Sequence, residues 1–176
     1  MKMTLKQNLS RYLDAGFPIL YINTFEEAKV EETIQEVADR CTIATWSIAK
    51  GYGEYSTKTG EWLMPPTKDD ATEINSVLNN KLAFEGDLHR TILVIKDAHT
   101  VLEQEQVIAA LKEIAVKIST GLDCCVILLS PVVKIPVELE KYITILESDY
   151  QTFEDICKII SDFVSDNSLT AMNPKL

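Results

Sequence analysis

Three short stretches gather the side chains of this chain that can do chemistry, and each follows a run of strand-forming residues. Thr24-Phe25-Glu26-Glu27-Ala28-Lys29 comes after an apolar run, Phe17 to Thr24. Asp97-Ala98-His99 comes after Thr91 to Lys96, and Ser130-Pro131 after Cys124 to Leu129. In open parallel sheets ligands bind beyond the carboxyl ends of the strands, so these are the positions to weigh. A phosphate cradle needs glycines, which let successive backbone N–H groups turn toward the anion, followed by Lys and Ser or Thr. No glycine occurs between Gly16 and Gly51. Glu26 and Glu27 instead hold the place of a triphosphate and would repel it. The expectation is that no nucleotide binds in the usual way and no cofactor is held; ATP with magnesium enters only if the site is less degenerate than it reads.

An apolar strand ending in Asp97 resembles the magnesium-binding Walker B segment, yet the acidic residue that would orient a water is replaced by Ala98. The plainer reading is that Asp97 caps the following helix. Ser130 is placed to sense a γ-phosphate, although Ser before Pro is also a common strand exit. His89 and His99 are the only histidines, too few for a zinc site or a His-based triad, and are expected in solvent. Asp97 with Glu26 or Glu27 could hold Mg²⁺, which gives an alternative reading as a small metal-dependent hydrolase or phosphotransfer enzyme. Trp46, Tyr52, Tyr55 and Trp62 cluster in sequence. Tyr52, Tyr55 and Trp62 are a candidate interaction surface, which would make the chain a structural adaptor; Trp46 is equally well a core residue.

The elements that must position these residues alternate between two periodicities. Leu5, Leu9, Tyr12 and Leu13 recur at helical spacing before Gly16. Val30, Ile34, Val37, Ala38 and Cys41 mark a second helix, with Thr24 as N-cap and Glu27 completing a capping box. Thr42 to Ile48 reads as a strand, and Tyr52 to Met64 as a β-hairpin turning at Gly60 and ended by Pro65 and Pro66. Asp69 or Asp70 caps a helix whose inner face is Ala71, Ile74, Leu78 and Leu82. One long helix after Asp97 carries Val107, Leu111, Ile114 and Ile118. A turn of helix after Pro136 leads to a fifth strand, Tyr142 to Leu146, and a last helix has Thr152 as cap and Phe153, Ile156, Ile160 and Phe163 as its face. Continuous apolar strands imply a parallel sheet covered on both faces. The expected fold is therefore a three-layer α-β-α domain with a five-stranded, mostly parallel sheet and a hairpin insertion at 52–64. It forms a single domain, 1–166, with a flexible tail at 167–176.

A chain of 176 residues supports one well-buried core. Its net charge of -10, from 27 acidic and 17 basic side chains, argues against a nucleic-acid partner, because phosphate affinity needs clustered Lys and Arg. Cys41, Cys124, Cys125 and Cys157 lack CxxC spacing and read as buried, inert thiols, with Cys124 and Cys125 on opposite faces of a strand. With no leader sequence and no apolar stretch of about 20 residues, a cytoplasmic location without membrane contact is expected.

Taken in order, these segments resemble an AAA+ large subdomain of the P-loop NTPase class. Lys134-Ile135-Pro136-Val137-Glu138-Leu139-Glu140 is similar to the Ile-Pro-x-Glu-Leu stretch that leads to the fifth strand in AAA proteins. More narrowly, four motifs are similar to the N-terminal, degenerate ATPase-like half of a bacterial and algal-plastid AAA+ family related to the FtsH and cell-division-cycle group. They are Thr24 to Lys29, Trp46-Ser47 with Gly51, Asp97-Ala98-His99, and Ser130-Pro131 with Ile135 to Leu139. Lys29 stands where that family has Arg, and a lysine does not replace a planar guanidinium. The resemblance implies a pseudo-ATPase module, not itself an enzyme, whose partner is a protein client or a catalytic AAA+ domain or ring. Its degenerate-site positions are Thr24, Glu26, Glu27, Lys29, Asp97, His99 and Ser130, with no catalytic, nucleotide-binding or metal residue.

Overall fold

The computed structural model describes residues 3–67, 73–83 and 85–148, and beyond them 156–157, 160–161 and 163–164. Asp69, Asp70, Ala71, Thr152, Phe153 and the tail from 167 on lie outside the described residues.

Thr4 opens the first helix with a reciprocal capping box. Its hydroxyl accepts from the Gln7 N–H, and the Gln7 side chain accepts from the Thr4 N–H. α1 (Leu5–Asp14) buries Leu5 and Leu9 and gives way to Gly16 at φ +70°. β1 (Ile19–Asn23) follows, then α2 (Glu27–Val37), which buries Val30 and Ile34. β2 (Thr42–Ser47), β3 (Gly51–Ser56) and β4 (Glu61–Thr67) form an antiparallel meander, and Gly60 at φ +72° makes the hairpin turn. α3 (Ile74–Ala83) and β5 (Thr91–Ile95) come next. The segment expected as one long helix is two, α4 (Ala98–Val101) and α5 (Glu105–Ser119). β6 (Cys124–Ser130), a 3₁₀ turn (Val137–Tyr142) and β7 (Ile143–Glu147) complete the order.

The described strands form a 7-stranded sheet in the order β4-β3-β2-β5-β6-β1-β7. The five strands from β2 to β7 in that order pair in parallel, as the apolar runs predict. The hairpin extends the same sheet at the β2 edge, giving seven strands where five were expected. Pro65 and Pro66 lie inside β4 rather than ending it. An edge strand has one row of N–H groups outside the ladder, so proline is tolerated there, and the β3–β4 register shifts between Tyr52 and Tyr55 accommodate the distortion.

Each sheet face carries its own core, which makes the three layers. On one face Leu5, Leu9, Val30 and Ile34 pack on Leu20, Ile22, Ile43, Val94 and Ile127. On the other Leu78, Val101, Leu111, Ile114 and Leu139 pack on Tyr21, Trp46, Leu93, Ile95 and Leu128. Cys124 belongs to the second core and Cys125 to the first, the alternation a strand imposes. Burial raises both thiols, Cys124 to about 12, which keeps them protonated and inert. Ile156, Ile160 and Phe163 are helical, but they are exposed rather than forming an inner face. Among the described residues no helix is long and apolar enough to cross a membrane.

Candidate functional site

Connections that leave neighbouring strands toward opposite faces open a crevice between their carboxyl ends, and that is where α/β sheets bind ligands. Here the pair is β1 and β6. The chain leaving β1 enters α2, whose Val30 and Ile34 lie in one core. The chain leaving β6 enters the 3₁₀ turn, whose Leu139 lies in the other. The sequence-derived positions Thr24, Glu26, Glu27, Asp97, His99 and Ser130 all fall at this end of the sheet.

The turn out of β1 is short. β1 ends at Asn23 and α2 starts at Glu27, leaving three residues, 24, 25 and 26. A phosphate loop of the Gly-x-x-x-x-Gly-Lys-Ser/Thr kind spans about eight. The Thr24 hydroxyl is buried and accepts the Glu26 N–H at 2.9 Å, closing a tight local turn. Thr24 is thus not the helix cap and the expected capping box does not form; Glu26 holds the cap position without a side-chain bond to the helix.

Glu27, in the first turn of α2, lies near the end of β5, where it feels the charges of Asp97 and Lys96. Partial burial, then the nearby charge of Asp97, raise its pKa above the ordinary carboxylate value, with Lys96 acting in the opposite sense. Lys96 is committed to Glu31 at 2.7 Å. Asp97 sits at the N-terminus of α4 in the left-handed region (φ 49°, ψ 39°), a conformation that Asp tolerates better than most residues. Its side chain makes no capping bond, so the capping role expected for it is not fulfilled.

Ser130 is fully buried and held by an internal network. Its hydroxyl lies 2.8 Å from His99 Nδ1, donates to the Val132 carbonyl at 2.8 Å and accepts the Val132 N–H at 3.2 Å. His99 is therefore half-buried and partnered rather than open to solvent, whereas His89 is exposed. The Tyr21 hydroxyl ties the same loop down, donating to the Val132 carbonyl at 2.7 Å and accepting the Lys134 N–H at 3.3 Å. Reorienting its amide lets Asn23 donate to the carbonyls of Pro131 and Ser130 at 3.0 and 3.2 Å. Sequence reasoning missed Asn23, Lys96 and Glu31. Their positions at a strand end and one turn along α2 were the available signal.

Lys29 is not with the others. It lines a shallow cavity of about 100 Å³ between α1 and α2 with Thr4, Leu5, Thr33 and Ser148. Among the described residues no three His, Cys, Asp or Glu side chains gather into a group able to hold a metal. No such group supports the alternative of a metal-dependent hydrolase built on Asp97 with Glu26 or Glu27. On the hairpin, Tyr55 and Trp62 pack edge to face at 5.6 Å, and Trp62, Leu63 and Met64 are exposed. Tyr52 does not join them. It is only 6% exposed, lies under the Lys81 ammonium and donates its hydroxyl to Glu54, so it is core, as is Trp46.

This strand order, with β1 between β6 and β7 and the crevice at the β1 end, is the fold of the AAA+ P-loop ATPases. The chain is similar to a solved DNA replication initiation factor, with a TM-score of 0.56 and 13% identity over 95% of this chain and 52% of that one. It is similar also to a point variant of Thermotoga maritima RuvB, with a TM-score of 0.54 and 13% identity over 93% of this chain and 50% of that one. Identity that low speaks for the fold alone. Residues 5–148 match the family described as SpoVK-like AAA ATPase, N-terminal domain, and the chain belongs to that family. A curated relative, the uncharacterized AAA domain-containing protein ycf46 of Guillardia theta, is 29% identical over 147 residues. That match takes in 82% of this chain but only 27% of the relative, so the chain spans about a quarter of its length.

Proposed function

We propose that this domain is a non-hydrolysing, pseudo-ATPase module that acts through protein contacts, as an interaction or regulatory partner of a catalytic AAA+ domain. The observation that carries the reading is the β1–α2 turn. Its three residues (24, 25 and 26) contain no glycine, and Thr24 already takes the Glu26 N–H. The charge of Asp97 already acts on Glu27, and a triphosphate would bring more negative charge to both. Ser130 is engaged with His99 and Val132, which leaves the γ-phosphate-sensing role without a free hydroxyl. The test is calorimetric titration of the full chain with ATP and Mg²⁺ at millimolar nucleotide. The expected result is no saturable heat; a micromolar, magnesium-dependent affinity overturns the reading.

One observation favours a second reading, in which the chain is an adaptor that contacts its partner through the hairpin: Trp62, Leu63 and Met64 stand exposed in succession on the edge strand β4. Replacing Tyr55 and Trp62 by Ala would then abolish partner binding without altering circular dichroism. Binding that survives removes this reading.

A further inference from the structure

The crevice between β1 and β6 has an apolar rim. Phe25 is 87% exposed, Val137 77%, Val132 56% and Val133 42%. The register sets Asn23 beside Ser130, and the Thr24 N–H donates to the Ser130 carbonyl at 3.0 Å. Phe25 and Val132 therefore each lie two residues beyond a paired position on adjacent strands. Grouped exposed apolar side chains mark contact surfaces, whereas scattered single ones do not. The loop that carries the valines is already pinned by Tyr21 and Ser130. Presenting them to a partner thus requires little further ordering.

We propose that this rim of Phe25, Val132, Val133 and Val137 docks a segment of a partner protein in which an apolar anchor is flanked by Lys or Arg. The proposal rests on the reading that no nucleotide takes the crevice. Charge selects the occupant. Glu26 and Glu27 directly follow Phe25, and Glu138 and Glu140 follow Val137. Two cations at this end have partners within the chain: Lys96 with Glu31, and Lys134 with Glu103. An apolar rim among carboxylates fits an apolar anchor with basic flanks. A second copy would bring the same acidic surround and a charge of -10, so self-pairing is disfavoured.

The experiment uses the isotope-labelled full chain and amide chemical-shift mapping. The probe is a synthetic peptide of about a dozen residues with a central leucine pair flanked by lysines. Its controls are the same anchor flanked by glutamates, the lysine peptide with serines in place of the leucines, and spermine. Saturable shifts confined to residues 24–27 and 131–138, given by the lysine-flanked anchor alone, are expected. The Phe25→Ser/Val137→Ser double variant, with unchanged circular dichroism, should weaken them on the order of tenfold. Equal binding of spermine or the serine peptide overturns the proposal, because the surface is then merely anionic. Shifts at 55–64, or no shift at millimolar peptide, overturn it too. So does a concentration-dependent dimer in sedimentation that Phe25→Ser abolishes, since the occupant is then a second copy. A separate arm with ATP and Mg²⁺ tests the underlying reading: micromolar shifts at 24–29 remove that reading, whereas silence in both arms removes the docking surface alone.

Discussion

Lys81→Met should loosen the hairpin from the body of the domain, and its cost can be worked from the geometry. Lys81 Nζ on α3 lies 2.6 Å from Glu54 Oε1 on β3, with side chains only 12% and 20% exposed, and Tyr52 donates its hydroxyl to the same carboxylate. Burial by itself raises the Glu54 pKa. The hydrogen bond and charge of Lys81, with the Tyr52 hydroxyl, more than offset that, so the carboxyl titrates below its ordinary value. Removing one member of a fully buried pair costs about 3–5 kcal/mol, because the other is left uncompensated. Residual exposure and the Tyr52 bond lower this to about 2–3 kcal/mol. At about 2–4 °C per kcal/mol for a domain of this size, the melting temperature falls by about 4–12 °C. A folded pKa below the unfolded one gives stability that is full above the unfolded pKa and is lost as pH falls through the folded one. The gap between parent and variant therefore narrows on acidification, as Glu54 protonates in both. The Glu54→Gln/Lys81→Met double variant carries no buried charge and should recover to within about 1 kcal/mol of the parent. Urea denaturation followed by circular dichroism, at neutral and successively acidic pH, measures all three. A loss below about 1 kcal/mol for Lys81→Met, or a double variant no more stable than the single one, refutes the reasoning.

Three further outcomes follow from the same geometry. Glu27 has its pKa raised, first by burial and then by Asp97, so its ionised form opposes folding above the carboxylate range; Glu27→Gln should raise the melting temperature at neutral pH, and the gain should vanish as acid protonates the parent. Gly53→Ala sets a Cβ 2.7 Å from Pro66 Cγ and 2.8 Å from both Cδ and the ring nitrogen, and should cost about 1–3 kcal/mol by urea denaturation. Pro66→Ala should restore part of that loss, because it removes the two ring-carbon contacts but not the backbone one. Ser130→Ala takes away the partner of His99 and of the Val132 N–H, at a cost of about 1–3 kcal/mol; faster hydrogen exchange at the Val132 amide is the expected signature.

Much of the frame was legible because it depends on local periodicity. The continuous apolar runs at 91–96 and 124–129 could only be buried strands, and Gly60 could only be a turn. The glycine-free turn after β1 was legible for the same reason, since a missing glycine is visible without any neighbour. Tyr52 was misread because its burial is decided by Lys81 and Glu54, the first of them 29 positions away (81 − 52). Asp97 was read as a helix cap, yet the break between α4 and α5 and the left-handed backbone at 97 redirect it. Pro65 and Pro66 were read as a stop, yet on an edge strand the missing donors are lost on the unpaired side.

The sequence by itself determined the element types, the two-faced burial of the parallel strands and the glycine-free stretch after β1. Each follows from side-chain spacing or residue type within about ten positions. Only the tertiary structure decided which strand ends meet. Crossover connections bring Thr24 to Ser130 and leave Lys29 on the far side of α2. Parallel pairing is set by which helical faces must be buried together, and that is a property of the whole sheet rather than of any segment.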